Sequence, residues 1–273
     1  MTARVYLSDN PIHNRVLQAF YDGCTDEKQL VKDWQYKHSD IAVIFGVYKS
    51  KVPTSYPRGE IFRQQRQKNL DVIVLETGYV NRGDGEHHHY AAGFNGLNGR
   101  ADFRNQGVMP SDRWTLLGKT LQPYTSGTHI ILCGQVPWDA SVEGTQHLKW
   151  IAGIAANLQK ITNKPIVYRP HPLAPQPPIE GCERPMRFIE DDLQRAHAVV
   201  CWNSNTGVDA AIAGKPVFAF DEGSMVWDIC SRGLLSIDTP AKPQRQMWAN
   251  ALAYAQWTPE EMAKGLAWKH LVG

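Results

Sequence analysis

The sequence predicts an α/β fold in two domains, on three observations. Short apolar runs alternate with helix-like stretches, the pattern of a mostly parallel sheet covered by helices. That alternation runs once through the first half and starts afresh at His129. At 273 residues the chain is long enough for two modest cores.

In order, strands are expected at Val5–Leu7, Ile41–Phe45 and Val72–Leu75, with helices over Ile12–Tyr21 and Arg58–Lys68. From Thr77 to Pro110 the periodicity gives way to glycine, asparagine and histidine. A stretch of that length reads as a functional loop or a lid. The second series predicts a strand at His129–Cys133, a helix over Thr145–Ile161 and a strand at Pro165–Tyr168. A proline-rich loop, Pro170–Pro185, follows. Then come a helix at Ile189–Ala196, a strand at Ala198–Cys201, a helix at Gly207–Ala213 and a strand at Pro216–Ala219. Thr258-Pro259-Glu260-Glu261 opens a last helix, with an N-cap, Pro at the first helical position and a capping-box glutamate. The expected domains are 1–122 and 123–273, with the terminal helix a candidate to cross back.

Composition narrows the function classes. Lys and Arg number 29 against 27 Asp and Glu, so no strong overall field selects nucleic acid or a membrane. A local basic groove stays open. The longest apolar runs, such as Ile130–Cys133, fall far short of the ~20 residues that cross a bilayer. Met1-Thr2-Ala3-Arg4 leads straight into a strand-like run, so no signal peptide is expected. Five scattered cysteines with no CxxC pair read as buried free thiols in a reducing cytoplasm.

Chemistry concentrates just after the predicted strands. Ala198–Cys201 leads into the polar turn Asn203-Ser204-Asn205-Thr206, then Gly207 and a short helix. Such a turn aims hydroxyls, amides and backbone N–H groups at one point, and the helix dipole attracts an anion. The alternative is that Ser204 and Thr206 only cap the helix. The position after a strand, where ligands bind in open α/β sheets, favours the binding role. In Tyr168-Arg169-Pro170-His171-Pro172, two prolines restrict the backbone of His171 and aim its ring. Arg169 and His171 can both donate to a phosphate oxygen. The bland alternative there is a rigid proline loop with an incidental histidine.

After the His129–Cys133 run, Gly134 permits close backbone approach, and Gln135, Asp139 and Ser141 offer polar groups. In the first half, Glu76 follows the Val72–Leu75 run. It reads as a general base or nucleophile, or as a carboxylate paired with Arg82. These four clusters would converge on a cleft between two Rossmann-like domains. His87-His88-His89 reads as exposed loop, because neighbours on an extended chain point apart and no partner stands at ligand spacing.

Three of these segments, Gly134–Ser141 (GQVPWDAS), Arg169–Pro172 (RPHP) and Asn203–Val217 (NSNTGVDAAIAGKPV), resemble the capsular polysaccharide Kdo-type glycosyltransferases. That family shares an acidic-Gly, a His-Pro and a Ser/Thr motif with bacterial sialyltransferases. The resemblance implies a GT-B-like architecture, with 1–122 the acceptor domain and 123–273 the nucleotide-sugar domain. It implies that His171 and Ser204 to Thr206, Asn205 included, hold the donor phosphate. Gly134, Gln135 and Lys215 would line the donor side, and Asp139, Arg169 and Asn203 complete the expected donor set. Glu76 takes the acid position and, with His171, a catalytic role; Arg82 and Arg100 are expected on the acceptor side. No metal and no cofactor are expected, the nucleotide-sugar being a co-substrate and a CMP-sugar among the candidates. The chain departs from the family's pattern at Thr77, which stands at one of two acidic positions.

The expected reaction moves a sugar from a nucleotide-sugar to an acceptor hydroxyl, a glycan first. One alternative is phage-type transfer to hydroxymethylated pyrimidine in DNA, with Arg82, Arg100, Arg104 and Arg113 contacting phosphates. A nucleotide-sugar epimerase or a non-catalytic nucleotide-sugar-binding protein is another. The expected location is the cytoplasm, the host's if the chain is phage-encoded, with no stable membrane insertion.

Overall fold

The computed structural model describes residues 1–47, 57–85, 87–142 and 144–273. In chain order the elements are β1 (Thr2–Tyr6), α1 (Pro11–Gly23), β2 (Glu27–Val31), β3 (Ile41–Phe45), α2 (Arg58–Gln67), β4 (Asp71–Thr77), β5 (Tyr90–Phe94) and α3 (Asp112–Leu116). There follow β6 (His129–Cys133), α4 (His147–Ile161), β7 (Ile166–Arg169), α5 (Ile189–Arg195), β8 (Ala196–Cys201), α6 (Thr206–Ile212) and β9 (Val217–Ala219). The chain ends with α7 (Gln246–Ala253), β10 (Gln256–Trp257), α8 (Pro259–Ala263) and α9 (Leu266–Leu271).

Two compact units result, Met1–Leu117 with Asn250–Gly273, and Gly118–Ala249. The division after residue 122 expected from sequence compares with one after Leu117, and everything from Asn250 onward belongs to the first unit. The tail belongs there because its apolar side chains do. Trp257, Met262, Trp268 and Leu271 are buried in one cluster with Val16, Leu17 and Phe20 of α1.

The first unit is built on a sheet of order β10-β5-β4-β3-β1-β2. Strands β4, β3, β1 and β2 run parallel, while β5 and β10 are antiparallel to their neighbours. Every residue of β3 is buried, as a strand covered on both faces requires. Asn10 caps α1 by accepting the Ile12 N–H at 2.9 Å, and Pro11 starts it. Gly23 at its end permits close approach of the tail, since a Cβ there would lie 1.9 Å from the Met262 carbonyl oxygen. Thr258 and Glu261 form both bonds of the expected capping box at α8.

Three strands were not expected: β5, β2 and the two-residue β10. β5 lies inside the stretch read as loop or lid, yet all five residues are buried and pair with β4. Its Ala-Ala-Gly centre has little intrinsic strand preference, so pairing with β4 supplies what local sequence lacks. β2 is an edge strand of sequence Glu-Lys-Gln-Leu-Val, polar as edges often are.

The second unit carries a four-stranded parallel sheet of order β7-β6-β8-β9. Its strands and its helices α4, α5 and α6 fall within a few residues of the positions the periodicity gave. Ile151, Ala155 and Leu158 of α4 pack against Ile130, Leu132, Val200 and Phe218 of the sheet. Among the described residues no helix is long and apolar enough to cross a membrane. All five thiols are free.

Candidate functional site

The loops that follow β6, β7 and β8 leave the same edge of the second unit's sheet, the C-terminal edge where open α/β sheets bind ligands. Because β6 lies between β7 and β8, the strands that lead into the His171 loop and the Asn203–Thr206 turn are two strand spacings apart, about 10 Å. The loop of β6 leaves from the strand between theirs.

That central loop is fastened on both sides. Gly134 N–H donates to the Arg169 carbonyl at 2.8 Å. A Cβ on Gly134 would lie 3.2 Å from Pro170 Cα and 3.3 Å from the Tyr168 hydroxyl, so only glycine fits without displacing its neighbours. On the other side, Asn203 N–H donates to Gln135 Oε1 at 3.0 Å and Gln135 Nε2 donates to Asn203 Oδ1 at 2.7 Å. Asn203 Nδ2 reaches the Ser141 carbonyl and Asp221 Oδ1, both at 2.9 Å. Both amides are buried. Buried amides bound on every side have one orientation.

His171 is half-buried, and its Nδ1 accepts the Leu173 N–H at 3.2 Å. The hydrogen of the neutral ring therefore sits on Nε2, the donor it presents. Burial lowers its pKa, and the Asp139 carboxylate opposes that shift. At neutral pH the ring is a hydrogen-bond donor without a full charge. Asp139 is exposed, and its Oδ1 accepts the Ser141 N–H at 2.8 Å.

Ser204 Oγ accepts the Thr206 N–H at 3.2 Å and donates to Thr206 Oγ1 at 3.2 Å. The Thr206 hydroxyl in turn bonds Cys133, whose thiol burial pushes up to about 12. The capping alternative weighed for Ser204 is thus part of the geometry, and an incoming anion competes with the Ser204–Thr206 pair. Asn205 stands at the N-cap of α6 without a side-chain cap bond.

Two expected members do not join this group. Arg169 turns away to bind Asp192 at 2.7 Å and the Met186 carbonyl at 3.0 Å, because Asp192 is itself buried and needs a cation. Lys215 precedes β9 and so lies at the opposite edge of the sheet. Its buried ammonium donates to Thr125 Oγ1 at 2.7 Å and the Gln194 carbonyl at 3.1 Å. Sequence reasoning missed Asp221 and His147, which hold Asn203 and Gln135 respectively. Asp221 was findable, since it follows β9 as the others follow their strands.

No family model matches the chain, and no curated protein matches it in sequence. Two solved structures match it over nearly their whole length. One is KpsC of Thermosulfurimonas dismutans, a beta Kdo 2,4 transferase, at 16% identity over 93% of this chain and 90% of that chain, with a TM-score of 0.62. The other is KpsC of the same organism, a beta Kdo 2,7 transferase, at 16% identity over 97% and 98%, with a TM-score of 0.58. The chain shares its fold with KpsC. At that level the resemblance read from the three motifs is met, and so is the expected GT-B-like fold class with two α/β units.

Within this KpsC-like fold, the first unit carries the remaining expected residues. Glu76 is the last residue but one of β4, and its Oε1 accepts the Thr77 N–H at 2.9 Å. Its Oε2 and the Arg58 Nη1 flank Gly46, 3.3 and 3.2 Å from where a Cβ on that residue would lie. One strand further along, past β1, His13 stacks on Phe45 at 3.9 Å and 7° and lies 3.4 Å from Ser8 Oγ. Burial lowers the His13 pKa, and Arg58 adds to the effect. His13 and Ser8 escaped the sequence reading, although they too follow a strand.

Arg82 donates to the Tyr79 carbonyl at 3.1 Å, and Arg100 is exposed at the end of the turn Asn98–Arg100. The four arginines do not make one phosphate-facing surface. Arg104 pairs with Asp102 at 3.2 Å. Arg113 is buried over the Trp257 ring at 3.6 Å and bound to Glu261 at 2.9 Å. His88 Nδ1 accepts the Gly85 N–H at 2.7 Å, and His89 is half-buried rather than exposed. Among the described residues no group of three His, Cys, Asp or Glu is placed to hold a metal.

Proposed function

We propose that this chain is a glycosyltransferase that moves a sugar from a nucleotide-sugar donor to a hydroxyl of a glycan acceptor. The observation that carries the reading is the fastening of three post-strand loops on one sheet edge, with neutral His171 on one side and the Ser204–Thr206 turn on the other. Such an edge fits a phosphate group, which takes hydrogen bonds from an imidazole N–H, hydroxyls and backbone amides alike. The names of the two structural neighbours favour a glycan over DNA as the acceptor, and the burial of Arg113 removes one of the arginines a DNA reading would use.

In the proposed step the acceptor oxygen forms a bond to the anomeric carbon while the bond from that carbon to the phosphate oxygen breaks. The electron pair leaves on the phosphate, where His171 Nε2–H and the turn donors stabilise the growing charge. Glu76 receives the acceptor proton in this reading, with Arg82 and Arg100 on the acceptor side. The locked Gln135–Asn203 pair keeps the donor loops in place before substrate arrives, which lowers the ordering cost of binding. No metal or cofactor enters the scheme, and a CMP-sugar is the first donor to try.

A thermal-shift screen of CMP-, UDP- and GDP-sugars on the wild type and on His171→Ala tests the donor assignment. Mass spectrometry of glycan acceptors with the stabilising donor then reads the transfer. The proposal expects one nucleotide class to raise the melting temperature of the wild type more than that of the variant, and a mass gain on the acceptor. Absence of any nucleotide effect ends it. Donor conversion without acceptor would make the chain an epimerase, and an intact donor with every acceptor a binding protein.

A further inference from the structure

The geometry points to His147 as a positioning residue that fixes the β6 loop, and through it the Gln135–Asn203 pair, by accepting the backbone N–H of Gln135. The functional part of this assignment rests on the donor-side reading above. His147 opens α4 and is only 3% exposed. Its Nε2 receives the Gln135 N–H at 3.0 Å. A ring that accepts at Nε2 carries its hydrogen on Nδ1. That second nitrogen is buried with no hydrogen-bond partner among the described residues. A buried donor left without an acceptor opposes folding. An apolar residue would avoid that loss, so the role of His147 lies in its other nitrogen.

The surroundings hold the ring in this orientation. It stacks on Trp150 at 5.4 Å and 21°. Trp150 in turn meets the edge of Trp202 at 5.3 Å and 80°, and of Phe220 at 5.4 Å and 66°. Trp202 directly precedes Asn203. The first turn of α4 therefore anchors both halves of the amide pair, Gln135 by a hydrogen bond and Asn203 through its neighbour's indole.

The same arrangement makes the loop sensitive to acid. The β6 loop brings a backbone amide against the ring, Trp150 of the same helix stacks on it, and Trp202 and Phe220 pack on Trp150 in turn. Burial lowers the pKa of His147, and among the described residues no charged group adds to that shift. A proton added at Nε2 would set a donor against the Gln135 N–H, and the bond is lost.

Long-range 15N spectra of histidine-labelled protein read the tautomer directly, and calorimetry with CMP, UDP and GDP reads the consequence in wild type, His147→Leu and His147→Gln. The expected spectrum places the hydrogen of His147 on Nδ1 at pH 7.5. His147→Leu should weaken nucleotide binding by about tenfold, while His147→Gln, whose amide oxygen can accept, should stay within about threefold of wild type. His147→Gln should also lose part of the wild type's fall in affinity below about pH 6.5. A hydrogen on Nε2, a leucine variant that binds as well as wild type, or a glutamine variant no better than leucine would each overturn the assignment. If wild type binds none of the three nucleotides, the donor reading fails, and the tautomer still decides whether His147 holds the loop.

Discussion

Gln135 and Asn203 bind each other reciprocally, side chain to backbone at 3.0 Å and side chain to side chain at 2.7 Å, across the gap between β6 and β8. Each is buried, so neither has water to fall back on. Replacing Asn203 by Leu strands Gln135 Nε2, while Oε1 keeps the backbone N–H of residue 203, and removes a donor from Asp221. An unsatisfied buried polar group costs about 1–3 kcal/mol. Urea unfolding should show a loss of that size for Asn203→Leu. The double variant with Gln135→Leu should lose less than the sum of the two singles, because the orphan is gone. Additive losses would mean that the two amides are not partners.

Lys215 should prove structural. Its ammonium is buried at the edge of the sheet away from the candidate site and is bound to Thr125 and Gln194. Lys215→Met is expected to lower stability by about 1 kcal/mol and to leave nucleotide affinity unchanged. Parallel melts and calorimetry check this. A selective loss of affinity would return Lys215 to the donor side, where the sequence reading put it.

Acid should unfold this protein early. Burial lowers the pKa of His13, His89, His129, His147, His171, His197 and His270. For each, the unfolded chain takes up a proton at a higher pH than the folded one. The stability tied to these groups is therefore intact above about pH 6.5 and declines as pH falls through the lowered folded values. Melting temperatures should be flat between pH 7 and 8 and fall between about pH 6.5 and 5. A melting temperature that holds to pH 5 would contradict the burial of these rings.

Much of the second unit was legible because its elements announce themselves locally. β6 is apolar from Ile130 to Cys133, and the polar residues that matter sit directly behind β6, β7 and β8. The first unit was harder to read. β5 owes its existence to pairing with β4 rather than to Tyr-Ala-Ala-Gly-Phe itself, and the tail's return to α1 depends on burial of Trp268 and Leu271 far along the chain. Orientation was the other gap. Residue type marked Arg169 as a phosphate ligand, yet the buried carboxylate of Asp192 claims its guanidinium. His147 carried no signal at all, since nothing in a sequence reveals which backbone N–H a buried imidazole will accept.

The central claim is that His171 and the Ser204 turn grip one phosphoryl group, and a double-mutant cycle tests it most directly. Calorimetry would measure binding of the nucleotide chosen by the donor screen to wild type, His171→Ala, Ser204→Ala and the double variant. Ser204→Ala also removes the bond to Thr206 N–H, a cost of about 1 kcal/mol that appears in ligand-free melts and is accounted for there. The account predicts weaker binding in both single variants and a coupling above about 0.5 kcal/mol. Losses that simply add, or single variants that bind like wild type, would contradict it.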